Sequence, residues 1–189
     1  MTSLPLFSGA LNVPNLLTLF RILLVPVFVN LILYDYPGYA LGVFLAAGVT
    51  DALDGLIARL ANQRTTLGQY LDPLADKLLL VSAFVVLSVR DGIPVWATII
   101  VVSRDVILSL GALIVHLLRE QVDVMPTWLG KITTVSQLVY VVGVMAGLVI
   151  PRTSILLYPL LVIMLFFTFV SGFHYIFRGI RMMSGESAS

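Results

Sequence analysis

Cysteine is absent from the 189 residues. No disulfide framework can therefore hold the fold, and thiol usage carries no message about redox compartment. Charge is nearly absent too: charged residues make up 11% and the net charge is +1, a balance that gives no reason to expect a nucleic-acid partner. Residues 1–12 hold no charged side chain, and no basic residue precedes Arg21. That start lacks the basic region of a signal peptide, and residues 1–13 are expected to lie along a membrane surface. Repeats are missing, and no linker is long enough to divide the chain. We therefore expect one membrane domain over 1–189, with no soluble domain and a polar tail at 184–189.

What the chain does have is hydrocarbon. Its hydrophobic fraction is 59% and its mean hydropathy +1.05. Apolar runs near 14–33, 39–60, 70–89, 94–118, 128–150 and 155–177 each approach the roughly 20 residues that cross a bilayer. The expected fold is an all-α integral membrane protein with six transmembrane helices. An even number of spans puts both termini on one side. Arg59, Arg64, Arg119, Lys131, Arg178 and Arg181 fall on that side, against Arg90 and Arg152 on the other. The positive-inside rule then makes the termini cytoplasmic, in the cell's inner (cytoplasmic) membrane.

Against this background, Asp51, Asp54, Asp72 and Asp76 stand within 26 residues of one another. An uncompensated charge near apolar helices costs several kcal/mol or more, so these acids need a counter-charge. Asp51, Asp54, Gly55 and Ala58 share one helical face, and Gly68, Asp72 and Asp76 share another. The polar residues Asn62 to Thr66 would turn the two helices antiparallel, and Pro73 is expected in the first turn of the second. Oxygen-only donors suit a hard cation, Mg²⁺ or Mn²⁺, and four carboxylates suffice for two ions. The small residues Gly55, Ala58 and Gly68 leave room for a close ligand such as a metal-bound pyrophosphate.

Other polar residues need weighing. Asn15, Thr18 and Arg21 lie on one face of the first span. That face either lines the pocket, meeting phosphate or a motif carboxylate, or simply lets Arg21 snorkel to the interface. Arg104 and Asp105 sit mid-span, either as a site or as a structural bridge to neighbouring helices. Lys131 is a candidate for an anionic acceptor or a cytoplasmic anchor. The polar turns from Thr133 to Gln137 suggest a cavity wall. Lys77 reads as a counter-charge, and His116 and His174 as interfacial.

The pattern D-x-x-D-G-x-x-A-R, eight residues, then G-x-x-x-D-x-x-x-D runs here through Asp51, Asp54, Gly55, Ala58, Arg59, Gly68, Asp72 and Asp76 without departure. It resembles the signature of the CDP-alcohol phosphatidyltransferases. Asn15 to Arg21 and Gly130-Lys131 look like flanking features of the same family, so the likeness covers most of the chain. It implies that Asp51, Asp54 and Asp72 bind metal and that Asp76 is the base activating the acceptor hydroxyl while also touching a metal. It further implies that Asn15, Thr18, Arg21, Gly55, Ala58, Arg59 and Gly68 surround the nucleotide and diphosphate. The implied reaction is one in-line transfer of a phosphatidyl group from CDP-diacylglycerol to an alcohol, releasing CMP, in a homodimer packed through membrane helices.

For the acceptor, Arg104 and Lys131 suit an anionic alcohol: glycerol 3-phosphate, or phosphatidylglycerol giving cardiolipin. Residues 102–106 with 131–137 resemble cardiolipin synthases of the CDP-alcohol type, whereas 15–21 resembles phosphatidylglycerophosphate synthases. The latter usually carry Arg-Glu where Arg104-Asp105 stands, and a second basic residue where Leu110, Gly111 and Ala112 stand. Inositol phosphate and serine are further acceptors. Membrane acids on small-residue helices also describe a divalent-cation transporter, although these acids lie near one face and flank a short turn.

Overall fold

The computed structural model describes the backbone at residues 13–60, 66–118 and 128–183. Among others, the side chains of residues 13–15, 52–60, 66–71 and 112–118 lie outside that description. The expected surface segment 1–13, all but its last residue, the turn at 61–65, the loop at 119–127 and the tail at 184–189 also fall outside it. Six α-helices are described: α1 Val13–Leu33, α2 Pro37–Leu60, α3 Thr66–Val89, α4 Val95–Leu118, α5 Trp128–Val149 and α6 Leu157–Met183, with a 3₁₀ turn at Pro151–Leu156 before α6. No strand occurs among the described residues. Two compact units result, residues 1–92 and 93–189.

The first unit is built around α1, which packs on both α2 and α3. Thr18, Arg21, Phe28 and Ile32 are its buried stripe, spaced as one helical face requires. Along α2, Ala40, Phe44 and Ala47 are buried at the same spacing. Phe28 and Phe44 meet with ring centroids 5.6 Å apart, and Arg21 meets Asp51, so α1 and α2 run antiparallel. The α1–α3 register is read from three side-chain pairs: Thr18–Asp72, Arg21–Asp76 and Asp35–Arg90, at sequence offsets of 54, 55 and 55. A constant offset means parallel helices held in step from the motif to the opposite end.

That opposite end closes twice in the same way. Asp35 (φ 67°) and Asp91 (φ 56°) adopt the left-handed conformation, which short polar side chains tolerate better than most. The N–H of Tyr36 reaches the carbonyl of Leu31 at 2.8 Å, and that of Gly92 reaches Leu87 at 2.8 Å. Both are Schellman caps, which satisfy carbonyls that a helix end leaves open. Pro37 then opens α2, where its missing N–H costs little.

In the second unit α6 packs against α4 and α5. Tyr140, Val141, Val144 and Met145 of α5, with Leu161 and Met164 of α6, form its apolar core. Gly143 and Gly147 stand four residues apart on α5. A Cβ at Gly143 would come within 2.9 Å of the Leu160 side chain, and one at Gly147 within 3.4 Å of Leu157. Small residues at this spacing let membrane helices approach closely, where dispersion rather than hydrophobicity drives packing.

Three described helical segments are long and apolar enough to cross a membrane: Leu16–Leu33, Trp128–Val149 and Arg152–Tyr175. Large apolar residues such as Leu23, Phe166 and Phe173 are exposed on them, as a lipid-facing surface requires. The other three helices are each 24 residues long, and each is only partly covered by the described side chains. One expectation fails. Because α3 begins at Thr66 rather than near Tyr70, Pro73 stands two turns inside the helix and not in its first turn. The polar residues before it extend the helix.

Candidate active site

α1 supplies a partner to each motif carboxylate whose side chain is described. Thr18 Oγ1 donates to Asp72 Oδ1 at 2.6 Å. Arg21 Nη1 lies 2.8 Å from Asp51 Oδ1 and 2.5 Å from Asp76 Oδ1. Asp51 comes from α2 and Asp76 from α3, yet both reach the same nitrogen. Their oxygens are therefore no further apart than those two distances laid end to end. Thr18 and Arg21 lie one turn apart in the buried stripe of α1, and Asp72 and Asp76 one turn apart on the parallel α3. The matched rise of two helices brings the pairs into line.

Burial divides the cluster. Arg21 is fully buried, whereas the side chains of Asp51 and Asp76 are 43% and 47% exposed. The cation is the floor and the acids are the open rim. Arg21 contacts two of the described acids and Thr18 the third, and the half-open carboxylates of Asp51 and Asp76 stand where a cation from solution can reach them.

The donor set is suited to a hard divalent ion. Carboxylate oxygens and a hydroxyl are the ligands that Mg²⁺ and Mn²⁺ prefer, and two of the oxygens already converge from different helices on one nitrogen. Among the described residues no group of three or more acids, histidines or cysteines is gathered closely enough to hold one ion. The expected fourth acid, Asp54, has its side chain outside the described residues, as do Asn15, Gly55, Ala58, Arg59 and Gly68. Their backbones lie on α2, α1 and α3 at the expected helical positions.

The two remaining candidates belong to the second unit. Arg104 Nη1 donates to Asp105 Oδ1 at 2.6 Å and Nη2 to Ser171 Oγ at 2.5 Å. Both members of the pair are largely buried. Arg104 also lines a 310 Å³ cleft between α4 and α6, whose other walls include Ile107, Phe169 and Phe173. Its guanidinium is thus tied to its neighbour and to α6. Lys131 is exposed, its Nζ 5.5 Å from the centre of the Trp128 ring, a cation–π contact near the start of α5. Of the wall expected at 133–137, Thr133 and Gln137 are buried and Thr134 and Val135 are exposed, while Thr133 Oγ1 donates to the Phe167 carbonyl of α6. Ser171 was not anticipated. A lone serine in an apolar run carries no signal until the partner helix is known.

Comparison with known proteins decides the family. The model of the CDP-alcohol phosphatidyltransferases matches residues 11–173. The chain belongs to this family. Among its relatives, the human cardiolipin synthase (CMP-forming) is 39% identical over 158 residues, 75% of this chain and 52% of that protein. The chain therefore spans about half the length of that relative. A probable phosphatidylglycerophosphate synthase of Mycobacterium tuberculosis is 33% identical over 185 residues, covering 92% of this chain and 84% of the other. The Haemophilus influenzae CDP-diacylglycerol–glycerol-3-phosphate 3-phosphatidyltransferase is 37% identical over 140 residues, with 71% and 75% covered. Phosphatidyltransferase membership gives the acid cluster its chemical context: all three described acids lie inside the matched region.

Proposed function

We propose that the protein transfers the phosphatidyl group of CDP-diacylglycerol to the hydroxyl of a glycerol-phosphate-type acceptor, glycerol 3-phosphate or phosphatidylglycerol, releasing CMP. The observation that carries this reading is the gathering of Asp51, Asp72 and Asp76 under Thr18 and Arg21 of one helix. The names of the relatives support the donor and the acceptor class.

Asp51, Asp54, Asp72 and Asp76 would hold Mg²⁺ or Mn²⁺, two ions in all. When bound, these ions supply charge neutralisation on the diphosphate and on departing CMP. The protein's own residues do the rest. Asn15, Gly55, Ala58, Arg59 and Gly68 shape the nucleotide end, and Arg59 meets its phosphates. Asp76 accepts the proton of the acceptor hydroxyl as that oxygen bonds to the phosphatidyl phosphorus. The phosphorus–oxygen bond to the CMP phosphate breaks in the same displacement, and the proton passes from Asp76 to water. The half-open position of the Asp76 side chain suits both events.

Lys131, exposed and pre-oriented by Trp128, is our choice for the cation that meets the acceptor's phosphate. Arg104, already engaged by Asp105 and Ser171, holds the α4–α6 wall in shape. Six membrane crossings, with both termini and the motif on the cytoplasmic side of the inner membrane, fit the basic-residue distribution. The working unit is a homodimer within one membrane domain.

The test is to incubate purified protein with CDP-diacylglycerol, Mg²⁺ or Mn²⁺ and a panel of alcohols, and to identify the lipid formed. Metal-dependent CMP release with glycerol 3-phosphate or phosphatidylglycerol is expected. Product from inositol phosphate or serine alone would reassign the acceptor. Divalent-ion flux in proteoliposomes without CDP-lipid, and no CMP release with any alcohol, would replace the enzyme with a transporter.

A further inference from the structure

We infer that Arg21 is the internal counter-ion of the acid cluster and a positioning residue: it keeps Asp51 and Asp76 together when no metal is bound and opposes the metal for the same two oxygens. The inference rests on the reading that these acids hold a divalent ion.

The geometry leads directly to it. Two carboxylates on different helices repel one another, yet here both contact one nitrogen, Arg21 Nη1. Arg21 is fully buried, and its guanidinium is a delocalised cation that presents several N–H donors. A buried cation on a membrane helix persists only where acids face it. The same argument runs in reverse for the acids, whose approach needs a cation between them. Arg21 and the acid pair therefore sustain each other across α1, α2 and α3.

A divalent ion held by Asp51 and Asp76 would sit close to the same guanidinium. Each carboxylate has lone pairs to spare, so the two cations do not exclude each other sterically. They do repel, and with twice the charge on one side the repulsion is substantial at this range. Binding of the metal must then weaken Arg21's hold, and Arg21 must weaken the metal's, by the reciprocity of linked equilibria. Such a site stays assembled when empty and binds metal less tightly than four acids alone would. The negative diphosphate of a substrate restores the missing affinity.

The prediction has a sign that a simple supporting role would not give. Removing a residue that merely shapes the site loosens metal binding; removing an opposing cation tightens it. With full-length protein in nanodiscs, Mn²⁺ binding is titrated by electron paramagnetic resonance, and unfolding is followed in chelator. Arg21→Gln is expected to melt earlier in chelator and to bind Mn²⁺ about tenfold more tightly or better. Arg21→Lys, which keeps the charge, should stay within about threefold of wild type in Mn²⁺ affinity. Equal or weaker Mn²⁺ binding by Arg21→Gln overturns the inference while leaving the metal reading intact. Absence of Mn²⁺ binding in every form, wild type included, instead removes the metal reading and the inference with it. Should Arg21→Gln not fold, ¹⁵N signals of the guanidinium, assigned by their loss in Arg21→Lys, serve on the wild type. A shift of the Arg21 signals on adding Mg²⁺ supports the inference, and unchanged signals in Mg²⁺-saturated protein overturn it.

Discussion

Two arginines, each the centre of a unit's polar interior, behave in opposite ways. Arg104 meets one acid, Asp105, and one hydroxyl, Ser171; charge is matched and the pair is largely buried. Arg21 meets two acids directly, with a third one turn away under Thr18, and the acids stay half open. A matched ion pair largely removed from water is satisfied within its own unit. Carboxylates gathered from two helices and held at the edge of water are donors suited to a further cation. Burial of a charge alone did not separate these cases; the ratio of charges and their exposure did.

The contrast can be broken in four ways. The largest effect is expected at the rim: Asp76→Asn should lower transfer by about a thousandfold or more, roughly 4 kcal/mol of transition-state stabilisation. The protein should stay folded, which CMP release and a melting curve together check. Next, Arg104→Met leaves Asp105 buried without its cation and should cost about 3–5 kcal/mol. Arg104→Met/Asp105→Leu should recover most of that loss in a double-mutant cycle read by thermal unfolding. If the double variant unfolds as readily as Arg104→Met, the pair is not scaffold. A smaller change is expected for Thr18→Val, which deletes the hydroxyl donated to Asp72; about 1.5–3 kcal/mol is typical of a hydrogen bond to a charged group. We expect about a tenfold loss of rate and a lower melting temperature. Least of all, Arg90→Ala removes the exposed pair with Asp35, and should shift stability by at most about 1 kcal/mol. A larger loss there would show that the far end, and not the motif, holds α1 and α3 in step.

Much of this was legible in the linear chain. The periodic acids placed Asp51 on one helix and Asp72 and Asp76 on the next, and Asn15, Thr18 and Arg21 on one face of the first span. Of the two readings of that face, the described geometry brings Thr18 and Arg21 to motif carboxylates. Helix boundaries came within a few residues, except at the start of α3, where polar residues before Tyr70 are helical and Pro73 is tolerated inside, and at the end of α6, which runs on to Met183.

From its own order of residues, this protein already had its helices, its family and the identity of its acids, because helical period and motif spacing are local properties of a chain. Only tertiary packing decided which distant partners Asp72, Asp76 and Arg104 would meet. That choice depends on the parallel register of α1 and α3 and on the close approach of α6 to α4, contacts between residues 54 to 67 positions apart. No local rule encodes such a distance. It arises when side chains fill space together.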